Sequence, residues 1–335
     1  SNIGLFFINR QTLRDYDFQA DEDHYNRLLG VDYNLISQDN LCSGNAYFHK
    51  AFAPEIGNAN LSAGMRVGIN TRNYRAFSDW VYLGEDFRSD LGFIRRTNIL
   101  KSATNIERIF WPKDRKIQNH TFQFFPIFYW SPENNLQNTD YNLMTSWEAR
   151  FQDQSEIEIQ VSNEYTYLFD DFDPTGSDDG IPIPGDQGYY YNSVEAGYQS
   201  NRRRLFSFQA GTSYGGFYNG ERLSVDGGIS MRFQPKMFFS LRFNYDRISL
   251  PDPHPSADIW LISPKFDITF SRTLFWSTLV QYSNQRDNLG INSRLQWRFA
   301  PLSDLYIVYN DNYFVNSFAP KVRSINLKLT YWLNI

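Results

Sequence analysis

The stretch SINLKLTYWLNI, residues 324–335, decides how the rest of the chain is read. Successive strand side chains point to opposite faces. Ile325, Leu327, Leu329, Tyr331, Leu333 and Ile335 therefore share one face, and Ser324, Asn326, Lys328, Thr330, Trp332 and Asn334 share the other. A helix would scatter the same residues around its circumference. The spacing predicts a strand, apolar on one side and polar on the other, that runs to the last residue.

Working back from this end, the period repeats. Leu223, Val225, Gly227, Ile229, Met231 and Phe233 oppose Ser224, Asp226, Gly228, Ser230 and Arg232; Phe239, Leu241, Phe243 and Tyr245 oppose Ser240, Arg242, Asn244 and Asp246. Ile157, Ile159, Val161, Tyr165 and Tyr167 oppose Glu156, Glu158, Gln160, Ser162 and Glu164. About 18 such segments (range 16–20) can be drawn, each roughly 9 to 14 residues long, the length a tilted strand needs to cross a bilayer. Strands of soluble sandwiches are shorter, about five or six residues.

Composition agrees with a membrane barrel. Phe, Tyr and Trp number 29, 22 and 8, or 18% of the chain, yet mean hydropathy is -0.52. A barrel with lipid outside and water inside produces both values, because only alternate residues meet lipid while aromatic girdles mark the two interfaces. The apolar run Phe124 to Trp130 carries Pro126 and falls far short of the roughly 20 residues of a membrane helix. The fold expected is all-β: a transmembrane antiparallel β-barrel with a polar lumen, formed by residues 1–335 as one domain.

A net charge of -5 and a short basic run, Arg202-Arg203-Arg204, argue against a nucleic-acid partner, which would need clustered cations on one face. Cys42 is the single cysteine, so neither an intrachain disulfide nor a cysteine zinc site is available. Short connections at Gln152-Asp153-Gln154, Gln234-Pro235, Ser271-Arg272, Arg286-Asp287 and Pro301-Leu302-Ser303 are expected on the periplasmic side. Long extracellular loops are expected at 52–60, 83–98, 169–188, 249–256 and 314–322.

Several runs carry a family resemblance: Ser1-Asn2-Ile3-Gly4-Leu5 through Asn9-Arg10, Tyr25-Asn26-Arg27 with Gly30-Val31-Asp32, and Gly84-Glu85-Asp86-Phe87 leading into Gly92-Phe93-Ile94-Arg95-Arg96-Thr97. Pro182-Ile183-Pro184-Gly185-Asp186, Gly215-Gly216-Phe217-Tyr218-Asn219-Gly220, Val280-Gln281-Tyr282, Arg294-Leu295-Gln296-Trp297 and Pro301 through Ser303-Asp304-Leu305 to Val308-Tyr309-Asn310 follow. In this order they resemble the uncharacterised C-terminal outer-membrane barrel domain of Bacteroidetes-type proteins that carry an N-terminal carbohydrate-binding domain similar to family 9. The resemblance implies a bacterial outer-membrane location, further strands upstream, and polysaccharide or oligosaccharide partners; it implies no catalytic residues.

The polar faces nominate lumen charges. Glu148, Glu156, Glu158 and Glu164 come early, and Arg232, Arg242, Arg294, Arg298 and Lys328 come late. Opposed walls of this kind would set up a transverse field acting on polar solutes; the plainer alternative is pairing between adjacent strands. Arg95 and Arg96 beside Phe93 and Ile94 form either an anion clamp or a loop folded on the wall.

Asp171, Asp173, Asp178 and Asp179 are candidate Ca2+ ligands in an acidic loop, although EF-hand spacing is absent. The alternative is a solvated loop, and no other cofactor is expected. His24 and His254 have Asp and Ser neighbours in loops, a chance pattern that does not make them catalytic, and no catalytic set is assigned. Tyr331, Leu333 and Ile335 form the candidate signal for the barrel-assembly machinery, with outer-membrane lipid as the surrounding partner. The reading from sequence is a porin-like barrel for polar, carbohydrate-related solutes. Its alternatives are a plugged anchor displaying a carbohydrate-binding domain and, third, a hydrolase at the rim. The last strand is expected to close either on Ile3 to Ile8 or on strands upstream.

Overall fold

A computed structural model describes residues 1–14, 20, 23–113, 116–176 and 180–333. Eighteen strands follow one another: β1 (Asn2–Gln11), β2 (Tyr25–Ile36), β3 (Cys42–Phe52), β4 (Leu61–Asn70), β5 (Tyr74–Leu83), β6 (Ile99–Phe110), β7 (Ile117–Ser131), β8 (Gln137–Phe151) and β9 (Glu156–Leu168) form the first half. The second half is β10 (Gln187–Gln199), β11 (Phe206–Phe217), β12 (Gly220–Phe233), β13 (Met237–Ser249), β14 (Ala257–Thr269), β15 (Leu274–Ser283), β16 (Asn288–Ala300), β17 (Ser303–Tyr313) and β18 (Pro320–Thr330). Each pairs antiparallel with its neighbour in chain order, from β1–β2 to β17–β18. The result is one 18-stranded sheet, a transmembrane β-barrel. Among the described residues no helix is long and apolar enough to cross a membrane.

Register settles which residues share a face. Val31 opposes Phe48, which opposes Ala63, while Asp32 opposes Tyr47, which opposes Gly64. The apolar set lines the outside, and so Leu5, Met65, Val67, Ile106, Val161 and Val194 remain exposed. Two bands of rings ride on that outer face. Trp80, Trp130, Phe128, Tyr141, Tyr165 and Tyr190 make a chain of ring contacts near the long-loop end. Phe110, Phe122, Trp147, Phe206, Phe208, Trp297 and Phe299 gather at the other end. On β7 the distance from Phe122 to Trp130 is roughly 20 Å along the axis, at about 3.3 Å per residue and a tilt near 40°. That is close to the height of a membrane barrel's apolar band.

The inner face is held at the mouth by small apolar clusters rather than one core. Ile183, Tyr189, Ile248 and Leu250 pack together on one side; Leu28, Ala51 and Phe87 do so on the other, beside Phe6, Ile8 and Ile94. Gly30 permits the second arrangement, since a side chain there would strike the Phe6 ring and His49. On the outer face near the loop end, Asp311 is fully buried. The Tyr309 and Tyr313 hydroxyls and Arg323 Nε all donate to its Oδ2, the last at 2.9 Å. The cluster shelters the Asp311 carboxylate, while the Arg323 side chain stays more than half exposed.

Two expectations change. The last strand begins at Pro320 and ends at Thr330, not at Ile335; Tyr331 continues the outer face by stacking on Phe299, and Trp332 turns its backbone N–H to Ser303 Oγ at 3.0 Å. With no partner strand on its far side, the tail follows β17 only as far as β17 extends. Among the described residues no ladder joins β18 to Ile3–Ile8, so the barrel has a seam at which β1 and β18 are both edges, with Leu5 79% and Ile325 72% exposed. The Arg286-Asp287 turn also lies at the end with the long loops, not with the short periplasmic turns. Alternation of strand direction decides this, and the turn's brevity does not.

Candidate functional site

Inner-face charge is divided between two walls. On the first, Glu148 of β8 opposes Glu158 of β9, and Gln160 of β9 opposes Glu195 of β10. Carboxylates this close repel one another unless cations intervene. Arg150 intervenes, with Nη2 3.0 Å from Glu156 and 3.3 Å from Glu148, and Arg75 reaches Glu107 at 3.3 Å. A polar chain extends this wall: Asn105 donates to Glu107 at 2.8 Å, Gln123 to Asn105 at 2.6 Å and Ser146 to Gln123 at 3.2 Å. Glu164, further toward the mouth, lies opposite Asn142 and Tyr191.

The second wall runs from β12 to β18. Arg232, Arg242, Arg294, Arg298 and Lys328 occupy inner-face positions opposite Phe238, Gly228, Ser277, Asp304 and Tyr306. Lys265 joins them on β14, paired with Asp267 at 2.8 Å, and Arg298 meets Asp304 at 3.2 Å. Arg232 lies over the Phe238 ring, 5.5 Å from its centre. Among the described residues Arg242, Arg294 and Lys328 make no ion pair. A cavity of about 700 Å³ opens against β10 to β15, with Arg202, Arg232, Arg242 and Lys265 in its lining and no carboxylate. On the acidic side the space between Arg75, Glu107, Glu148 and Arg150 is only about 130 Å³.

Long loops narrow the mouth. In the loop at 84–98, Arg88 binds Asp90 at 2.7 Å and Asp23 at 2.6 Å, and Arg10 of β1 donates to Asp90 through Nε at 2.9 Å. Burial opposes the charge on Asp90, but the Arg10 and Arg88 guanidiniums outweigh it and hold the carboxyl below the usual range. Arg96 of the same loop spans to β8, with Nη1 2.6 Å from Asp140 and Nη2 2.9 Å from Thr139. The loop at 169–186 reaches across in the other direction. The Ile181 carbonyl lies 3.0 Å from His254 Nδ1, and the Thr175 carbonyl accepts from Gln285 at 2.9 Å.

The chain resembles several solved barrels in trace. The ferric enterobactin receptor PfeA of Pseudomonas aeruginosa, in complex with BCV-L6, superposes with a TM-score of 0.45 at 7% identity, over 93% of this chain and 69% of that one. The siderophore receptor PirA of Acinetobacter baumannii gives 0.43 at 10% identity, over 93% and 68%. No protein-family model matches the chain, and no curated protein matches its sequence.

Arg96 is engaged with Asp140 and Thr139, whereas Arg95 sits beside it without an ion pair among the described residues. Asp171 accepts the Gly185 N–H at 2.8 Å, and Asp173 accepts both the backbone N–H and the hydroxyl of Thr175, at 2.9 and 2.7 Å. Asp178, Asp179 and Ile335 lie outside the described residues. Among those described, no three His, Cys, Asp or Glu side chains gather as metal ligands. Tyr331 and Leu333 are exposed on the tail. Sequence reasoning missed Lys265 and Asp267, although the signal was there: Ser263, Lys265 and Asp267 alternate with Ile262, Pro264 and Phe266. Pro264 masks the strand signature because it removes a backbone donor.

Proposed function

We propose that this chain is a bacterial outer-membrane barrel that passes or captures polar solutes. The observation that carries the proposal is the inner face itself, polar along its length and divided into an acidic wall bridged by Arg75 and Arg150 and a basic wall on which Arg242, Arg294 and Lys328 make no ion pair among the described residues. Barrels of 16 to 18 strands leave an aqueous channel, and opposed charges in a low-dielectric wall act on any dipolar solute inside it. Saccharide solutes enter the proposal through the family resemblance described above, as do the surrounding outer-membrane lipid and the assembly machinery that reads the C-terminal strand.

A second reading has its own support. The described parts of the loops at 84–98 and 169–186 pack on inner-face residues and are tied to strands and turns several places along the wall, as they would be in a plugged barrel that serves as an anchor. Single-channel recording of the full chain in planar bilayers separates the two. A passage barrel gives discrete conductance steps, which grow when residues 172–183 are deleted. A silent bilayer, with the deletion variant conducting, would replace passage with the anchor.

A further inference from the structure

We infer that the basic cavity between β10 and β15 is a binding site for a hydroxyl-rich solute bearing one anionic group, a carboxylate or a phosphate. This deepens the proposed function by naming the solute class, and it rests on that reading for access to the lumen.

Charge gives the first argument. Arg202, Arg232, Arg242 and Lys265 line about 700 Å³ of space, and no carboxylate shares the lining. Elsewhere in the lumen several cations are paired, Arg75 with Glu107, Arg150 with Glu148 and Glu156, Arg298 with Asp304, and those left without an ion pair among the described residues, Arg294 and Lys328, do not gather around one cavity. Among the described residues Lys265 is the one cavity cation with an ion-pair partner, Asp267. Cations gathered without counter-charges raise one another's energy, and a bound anion relieves that repulsion.

Local geometry gives the second. Arg242 is flanked on its two neighbouring strands by Gly228 and Ser263, one without a side chain and the other with a short hydroxyl. Among the described residues its guanidinium is thereby left without a hydrogen-bond or ion-pair partner, with its five donors in a fork that matches a carboxylate or phosphate. Arg232 is steadied over Phe238, which holds a second guanidinium in place without satisfying its donors. Around the cations stand Gln209, Ser230, Ser240, Asn244 and Gln281, donors and acceptors suited to a polyol body. The volume is that of a small-ligand pocket.

Calorimetry on the detergent-solubilised full chain tests this with three probes: D-glucuronate, glucose 6-phosphate and neutral glucose. One or both anionic sugars should bind at low salt, with glucose at least tenfold weaker, and the stronger of the two identifies the anionic group. The Arg232→Gln/Arg242→Gln double variant should lose at least tenfold in affinity, whereas Arg294→Gln, on the same wall but outside the cavity, should lose less than threefold. Heat-modifiable gel migration establishes that each variant is folded, and if the double variant is not, Arg242→Gln alone carries the comparison. Equal binding of glucose, no binding of either anion, or an unchanged affinity in the folded variant overturns the site. A silent bilayer with anion binding intact would remove passage and leave the site standing.

Discussion

The two walls of the lumen solve the same electrostatic problem differently. Between β5 and β10 the carboxylates are crowded, and the arginines among them serve as bridges: Arg150 touches Glu148 and Glu156, and Arg75 touches Glu107. Between β12 and β16 the inner-face cations stand apart from carboxylates, with only Lys265 and Arg298 paired among the described residues. A charge committed to a neighbour stabilises the wall and is shielded from solutes. One left uncommitted adds little to stability and remains available to them. By this measure the acidic wall is built mainly for cohesion and the basic wall for contact with what enters. The mouth above the basic side is held by apolar packing, centred on Ile183, instead of by charge.

Substitutions that exchange these roles should break the comparison. The largest effect is expected from Ile183→Ala, since Ile183 is fully buried against Tyr189, Ile248 and Leu250. Core truncations of this kind cost about 2–4 kcal/mol, which urea unfolding in detergent would read as a lower midpoint, with faster proteolysis of the loop at 169–186. Arg150→Ala should come next. It leaves Glu148, Glu156 and Glu158 facing one another, for a loss of about 1 kcal/mol in a partly exposed network. The matched change on the other wall, Arg242→Ala, should move stability by less than about 0.5 kcal/mol, as substitutions without committed partners do. If Arg242→Ala destabilises as much as Arg150→Ala, the distinction between a cohesive and a receptive wall is lost.

The barrel was legible because period-two alternation is written residue by residue: the face containing Leu223, Val225 and Ile229 needs no knowledge of distant chain. The nine charges assigned to the polar face follow from the same parity. What could not be read locally depends on strands that meet far apart in sequence. Arg96 finds Asp140 only because the loop at 84–98 crosses two strands of wall. The seam between β1 and β18 depends on whether two remote edges meet. The Arg286-Asp287 turn was misplaced because length distinguishes the two ends only on average, whereas strand direction does so at every turn.

The smallest expected effect concerns the mouth at the loop 84–98, where charge adds to the apolar cluster of Leu28, Ala51 and Phe87. Asp90 is held below its ordinary pKa of 3.8, because Arg10 and Arg88 outweigh the burial that opposes its charge. A carboxyl with a depressed folded pKa contributes stability that is complete above its unfolded pKa and is lost as pH falls through the folded one. Docking of the loop at 84–98 should therefore be unchanged from neutral pH down to about 5 and weaken below about 4. Hydrogen exchange at residues 84–92 would follow it, with the loop at 169–186 as the internal reference, since its apolar anchor has no such dependence. Asp90→Asn should abolish the acid-sensitive step at 84–92 and leave the exchange of Ile183 as it was. Equal acid sensitivity in both loops would mean that the Asp90 ion pairs add nothing specific to the docking of the loop at 84–98.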